Sequence, residues 1–300
     1  MTKKLIVITG PTASGKTALS VAVAQALNCP IVSADSRQFY KELNIGTAKP
    51  TKEEMMGVPH YFVDSHSIQN PITSGQFEKD ALALLEEQFK SNNTIVMTGG
   101  SGMFLKAVTH GTDQLPRNES VRDKWNAIYE KEGIDFLVNK IKELDPNALK
   151  NVDIRNPIRL IRIIELLETT GKKIAELRIN KSVKRSFDSN YFIIDHEREV
   201  LYGRINKRVD LMITQGLVAE VEKLKEFKSL QALNTVGYKE VFDYLEGKHD
   251  KERAVELIKR NTRRYAKRQL TWFRGIEDAI WIKYTTLNEM KNKVIQYLNS

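Results

Sequence analysis

Cysteine is nearly missing from this 300-residue chain: Cys29 stands alone, so no intramolecular disulfide forms and a small oxidised scaffold is excluded. Long hydrophobic runs are missing too. The opening MTKKLIVITG passes from a short apolar stretch straight into a glycine loop, far short of the roughly 20 apolar residues that span a bilayer. It reads as a buried first strand rather than a secretion signal, so the expected setting is soluble and cytoplasmic, with no membrane partner. The five histidines, His60, His66, His110, His196 and His249, lack cysteine or histidine partners at zinc spacing, and no structural metal site is indicated. Repeats and low-complexity linkers are also absent.

What is present is an ordinary globular composition, 41% apolar, with 47 Lys and Arg against 38 Asp and Glu. That supports one large domain or two modest ones. The resulting charge of +9 suits a polyanionic partner without naming one. Along the first hundred residues, apolar runs alternate with helical spacing: strands at LIVI, PIVSAD, HYFVD and TIVMTGG, helices over 17–27 and 74–91. Such alternation predicts a parallel sheet covered on both faces, with functional groups at the carboxyl ends of the strands. Gly10, Asp35 and Gly99 fall there. From about Leu115 to Asp188 the patterns are helical, including NPIRLIRIIELLETTGKK with its first-turn proline and terminal glycine. YFIID then reads as a strand returning to the sheet, helices run from Arg198 to about Phe273, AIWI forms a short strand, and a last helix closes the chain. The expected fold is therefore α/β: a parallel sheet flanked by helices over 1–114 and 189–300, with a mostly helical insertion over 115–188.

The sharpest motif is GPTASGKT, which fits G-x-x-x-x-G-K-[ST] in full between a strand and a helix. The backbone amides of Gly10, Pro11 (which contributes none), Thr12, Ala13, Ser14 and Gly15 lead into a helix N-terminus that favours an anion. Lys16 adds positive charge, and the Thr17 hydroxyl suits Mg²⁺. Asp35, in SADSRQFY, is read either as a base or metal ligand beside that loop, or as a helix cap. Ser36, Arg37 and Gln38 after it supply donors for a polar ring. The strand before TGGSGMF ends in Thr98 and glycines where a phosphoryl-transfer enzyme commonly places an acidic residue, which argues against ordinary ATP chemistry. Ser101 offers a hydroxyl there, or the segment is simply a turn.

The segment from Arg253 to Arg274 holds eight Lys and Arg against a single Glu. At helical spacing Arg253, Arg260, Arg264, Lys267 and Arg274 share one face, a ridge suited to a phosphate backbone. Ala254, Ile258, Tyr265 and Trp272 share the other, expected against the core. Arg159 and Arg162, with Arg155 just before them, either grip the same polyanion or stand exposed.

Taken in order, GPTASGKT, SADSRQFY, NIGTAKP, GVPH, GGSGMF, NPIRLIRIIE, TVGYKE and TRRYAKRQLTWFR resemble the bacterial tRNA dimethylallyltransferases over nearly the whole chain. The first motif is shared by many folds; SADSRQFY, GVPH and TRRYAKRQLTWFR are specific to this family. The resemblance implies a P-loop NTPase-like core. It also implies transfer of a dimethylallyl group from dimethylallyl diphosphate to N6 of the adenosine 3′ of a tRNA anticodon. In that pattern Gly10 to Thr17 hold the diphosphate with Mg²⁺, Asp35 is the general base, and Ser101 holds the adenine amine. Arg208 lies near the diphosphate, Ser36, Arg37 and Gln38 meet the target base, and Arg159 and Arg162 meet RNA. The basic helix with Arg260, Arg264 and Lys267 is expected to grip the anticodon stem-loop, and, apart from the resemblance, a monomer is expected. Three positions depart from the pattern: Ser101 replaces threonine, Phe104 replaces tyrosine, and Tyr61 stands where a second histidine is common. Prenylation of free adenine nucleotides, a phosphoryl-transfer kinase and a nucleotide-gated RNA-binding protein are the alternatives.

Overall fold

The computed structural model describes residues 3–113, 115–177 and 183–299. It divides into two units, Met1–His110 with Lys184–Ser300, and Gly111–Val183. Part of the stretch read as helical, residues 178–182, lies outside the described residues.

In the first unit β1 (Lys4–Thr9), β2 (Ile31–Ser33), β3 (His60–Tyr61), β4 (Thr94–Gly99), β5 (Asp188–Asp195) and β6 (Ile280–Lys283) form one sheet, ordered β3-β2-β4-β1-β5-β6. Every neighbouring pair is parallel. The strands read from the sequence are all there, with altered ends. HYFVD yields only two strand residues because Phe62 and Asp64 turn to φ of 62° and 54°. PIVSAD stops at Ser33, leaving Asp35 in the turn beyond, and the returning strand starts at Asp188.

Helices α1 (Lys16–Leu27), α2 (Lys52–Met55), α3 (Ser74–Gln88) and α4 (Gly102–His110) connect the first strands. After β5 come α9 (Arg198–Thr214), α10 (Leu217–Glu222), α11 (Tyr238–Leu245), α12 (Lys251–Phe273) and α13 (Leu287–Asn299); α5 to α8 belong to the second unit. Side chains alternate along a strand, so a sheet covered on both faces needs apolar residues throughout. Leu5 and Val7 of β1 pack with Phe77, Ala81 and Leu105 of α3 and α4. Ile6 and Ile8 pack on the opposite face with Leu19, Val23, Met290 and Val294 of α1 and α13. Phe104 is buried among Phe39 and Phe77, with ring centroids 5.5 and 5.4 Å away, an apolar cluster that a hydroxyl would burden with an unpaired donor. Among the described residues no helix is long and apolar enough to cross a membrane.

The second unit packs α5 (Glu119–Glu132), α6 (Ile134–Leu144), α7 (Pro157–Thr170) and α8 (Ile174–Leu177). The signals that announce α7 act as expected. The Asn156 side chain accepts the Arg159 N–H at 3.1 Å, Pro157 opens the helix, and Gly171 closes it at φ 65°. Leu160, Ile164 and Leu167 then bury against Trp125, Leu137 and Ile141. Glu165 sits fully buried among them. Burial alone would raise its pKa, yet the Asn118 N–H, Arg162 and Arg122 hold it below the usual carboxylate range. Arg162 is thus committed to Glu165 at 2.8 Å and to the Pro116 carbonyl at 2.8 Å, while Arg159 is exposed.

Back in the first unit, one carboxylate organises the NIGTAKP turn. Glu220 accepts the N–H groups of Ile45 at 2.8 Å and Gly46 at 3.0 Å, and the Tyr238 hydroxyl at 2.6 Å. Tyr238 is fully buried, and a Cβ on Gly46 would meet its ring at 2.4 Å. The turn matters to the site because Thr47 supplies a carbonyl to Arg208 and Gln38. Gly46→Ala should therefore destabilise the fold by about 1–3 kcal/mol through overpacking. Urea unfolding monitored by circular dichroism measures it, and an unchanged midpoint would contradict this packing.

Candidate active site at the carboxyl ends of the strands

The loop after β1 is shaped by backbone conformations that few residues adopt. Gly15 takes φ 92° and Ala13 φ 62°, and a Cβ on Gly10 would lie 2.9 Å from Ser14 Oγ and 3.1 Å from the Ile194 carbonyl. Its carbonyls are drawn outward by groups from elsewhere in the unit. Arg204 Nε donates to Ala13 O at 2.8 Å, and His196 Nε2 donates to Ser14 O at 2.9 Å. His196 stacks on Tyr284 at 4.1 Å, and Tyr284 accepts from Arg204 at 3.0 Å. Because a carbonyl only accepts, Nε2 carries the proton; burial keeps the ring's pKa below its ordinary value and Nδ1 has no partner. Among the described residues, the N–H groups of Ala13, Gly15, Lys16 and Thr17 find no backbone or side-chain acceptor. A helix N-terminus with free amides and no capping side chain is an anion site.

Charge sharpens this. Lys16 Nζ donates to the Pro11 carbonyl at 2.9 Å, and burial lowers its pKa to about 8, with Asp35 opposing the shift and Arg208 adding to it. Burial also lowers Arg208 from its ordinary value against the pull of Asp35 and Glu54; it remains a cation. Lys16, Arg208 and Asp35, three of the expected site residues, therefore share one field.

Asp35 does not cap a helix. Its Oδ1 accepts the Arg37 N–H at 3.1 Å within a turn, and it forms no ion pair among the described residues. The turn is tied to the loop after β4: the Ser36 N–H donates to Ser101 Oγ at 3.1 Å, and the two hydroxyls lie 2.9 Å apart. Gly99 permits the approach, since a Cβ there would stand 2.6 Å from the Ala34 carbonyl carbon. Arg37 and Gln38 spend donors on the fold: Arg37 on Ala232 O at 3.0 Å, Gln38 on Ala48 O at 3.1 Å.

Helix α12 closes the unit over these loops. Arg260, Arg264, Lys267 and Arg274 are exposed and have no ion pair among the described residues, whereas Arg253 is paired with Glu256 at 2.8 Å. The expected apolar face needs correcting. Ala254 and Ile258 are buried, but Tyr265 and Trp272 are each 37% exposed; Ala266, Gln269 and Phe273 take the core positions instead. Trp272 lies against Gly102, where a Cβ would meet its ring at 2.3 Å. The Tyr265 hydroxyl interacts with Ser101, and partial burial followed by the Asp35 charge raises its pKa. Gln269 bonds both glycine loops. A helical wheel separates polar from apolar, not core from site, so Tyr265 and Gln269 carried no distinguishing signal. Arg204 did carry one: it lies one turn before Arg208 on α9.

The IPP transferase family model matches residues 38–276, beginning just past Asp35. Curated relatives extend the match over the loop. The tRNA dimethylallyltransferase of Christiangramia forsetii is 45% identical, covering 100% of this chain and 99% of its own length. That of Flavobacterium johnsoniae is 43% identical, covering 99% and 97%. Among solved structures, the full-length tRNA isopentenylpyrophosphate transferase of Bacillus halodurans is 35% identical with a TM-score of 0.73, covering 99% of this chain and 97% of its own. A eukaryotic dimethylallyltransferase acting on tRNA reaches a TM-score of 0.79 at 26% identity, covering 99% and 77%. With sheet, loops and basic helix all falling within these full-length matches, the chain belongs to the IPP transferase family.

Proposed function

We infer that the chain transfers a dimethylallyl group from dimethylallyl diphosphate to N6 of the adenosine 3′-adjacent to the anticodon in tRNA. The observation that carries this reading is the meeting of free loop amides and Lys16 beyond β1, the unpaired carboxylate of Asp35 beyond β2, and Arg208 from α9. The N6 lone pair attacks C1 of the allyl group as the C1–O bond breaks, its electrons leaving on the diphosphate. Asp35 takes the N6 proton, which a poorly nucleophilic aromatic amine must lose as the bond forms. Loop amides, Lys16 and Arg208 hold the oxygens on which negative charge gathers. Ser101, tied to Ser36, offers its hydroxyl to the adenine amine; serine keeps the hydroxyl of the usual threonine and loses only the methyl that limits its rotamers.

The residues present fit a magnesium ion that arrives with the diphosphate. The Thr17 hydroxyl makes no protein hydrogen bond, and no cluster of three acidic, His or Cys side chains forms a protein cage among the described residues. When bound, the ion neutralises charge on the leaving group.

A base stacked in an anticodon loop cannot reach Asp35, so the adenosine is flipped out, and contacts to the RNA backbone offset the unstacking. The unpaired ridge of Arg260, Arg264 and Lys267 supports a polynucleotide over a free adenine nucleotide, which needs no such surface. Arg159 extends the same role in the insertion, and the enzyme works as a monomer.

Asp35→Asn should lower prenyl transfer by about 10²–10⁴-fold while tRNA affinity stays unchanged. Single-turnover assays with filter binding separate the two, and wild-type turnover by the variant would remove Asp35 from the mechanism. Arg264→Glu should weaken tRNA binding and reduce its salt slope by about 1 or more. Unchanged affinity across a salt titration would remove the ridge from RNA recognition. Lys16 is charged below its pKa of about 8 and neutral above it, so affinity for inorganic diphosphate should fall as pH rises through about 8. Lys16→Arg, which keeps its charge, should flatten the calorimetric profile; identical profiles for the two proteins would contradict the assignment.

A further inference from the structure

The inward face of α12 takes no part in the chemistry above, yet it carries the most closely specified polar side chain near the loops. Gln269 is 7% exposed. Its Oε1 accepts the Thr12 N–H at 2.8 Å, and its Nε2 donates to Gly100 O at 2.9 Å. One amide group therefore joins the loop leaving β1 to the loop leaving β4. The fit is close: a Cβ on Gly100 would lie 2.5 Å from Nε2 and 3.8 Å from Lys16 Nζ. Only a side chain with a donor and an acceptor side by side at this reach satisfies both backbone groups. Lysine has no acceptor, methionine has neither group, and an ionised glutamate loses the donor while placing negative charge beside an anion site.

We propose that Gln269, although it projects from the helix whose outer face carries the basic ridge, is a positioning residue for the prenyl donor. By holding the Thr12 N–H and the Gly100 carbonyl at fixed separation, it sets the loop in the shape that receives a diphosphate. It acts through the Thr12 backbone and does not touch the substrate. The inference rests on the reading of Gly10 to Thr17 as the diphosphate site.

The test uses the full-length protein with two probes measured separately, inorganic diphosphate with Mg²⁺ by calorimetry and an anticodon stem-loop RNA by fluorescence anisotropy. Gln269→Met leaves a buried donor and a buried acceptor unpaired, and should weaken diphosphate roughly tenfold. RNA affinity should not change. Gln269→Glu should also bind diphosphate weakly at neutral pH. Relative to wild type at each pH it should recover on acidification, because a protonated carboxyl again presents one donor and one acceptor. Lys16 stays charged throughout that acidic range and does not mimic the recovery. Where Gln269→Met fails to fold, recovery or its absence in Gln269→Glu decides. Wild-type diphosphate affinity in folded variants overturns the proposal, and so does RNA affinity falling in step with diphosphate, which would mean that Gln269 only holds α12 in place. A wild-type protein that binds no diphosphate overturns the reading of the loop itself, and this inference with it.

Discussion

Lys16 and Arg208 are half-buried cations, Lys16 feels the charge of Arg208, and Asp35 is a carboxylate that both of them feel. Like charges brought together in part-buried positions repel, so the positive pair and the free loop amides together favour an anion. An ordinary ion pair to Asp35 would offset that repulsion, but it would also occupy the carboxylate. The turn geometry avoids this by giving one carboxylate oxygen to the Arg37 N–H and leaving the group outside salt-bridge distance of either cation.

Holding that arrangement takes groups from well outside the loop. Arg204 and His196, braced by Tyr284, hold the Ala13 and Ser14 carbonyls; Gln269 fixes the loop's other shoulder. Gly99, Gly100 and Gly102 let the turn after β2, Gln269 and Trp272 approach more closely than any side chain would allow. The Glu220 clamp then fixes the carbonyl of Thr47 toward Arg208. The arrangement thus draws on strand ends and C-terminal helices alike, and α12 presents cations outward and an amide inward.

Much of this was legible in the residues. β1, β4 and the glycine-lysine loop stand out because fully apolar strands and a glycine-bounded turn have few other uses, and α7 because Asn156, Pro157 and Gly171 mark its ends chemically. Strand ends were less legible: Phe62 and Asp64 adopt positive φ without being glycine, and nothing local announces it. The inner face of α12 was misread at Tyr265 and Trp272, whose rings look like core residues to any periodicity yet line the site's rim. Gln269 was invisible for the opposite reason, a polar residue in a basic run whose burial depends on two loops distant in sequence. Arg162 likewise looked available until the fold placed Glu165 beside it.

The central claim is that the loop grips a prenyl diphosphate while Asp35 deprotonates a flipped adenosine. Incubating the protein with dimethylallyl diphosphate labelled in the allyl carbons and unmodified total tRNA, with free AMP and γ-labelled ATP in parallel reactions, tests it most directly. The account predicts label in N6-dimethylallyladenosine released from the position 3′ of the anticodon, with diphosphate formed in equal amount and AMP left untouched. Label appearing on AMP alone, or phosphate moving from ATP while the allyl label stays on its diphosphate, would contradict it.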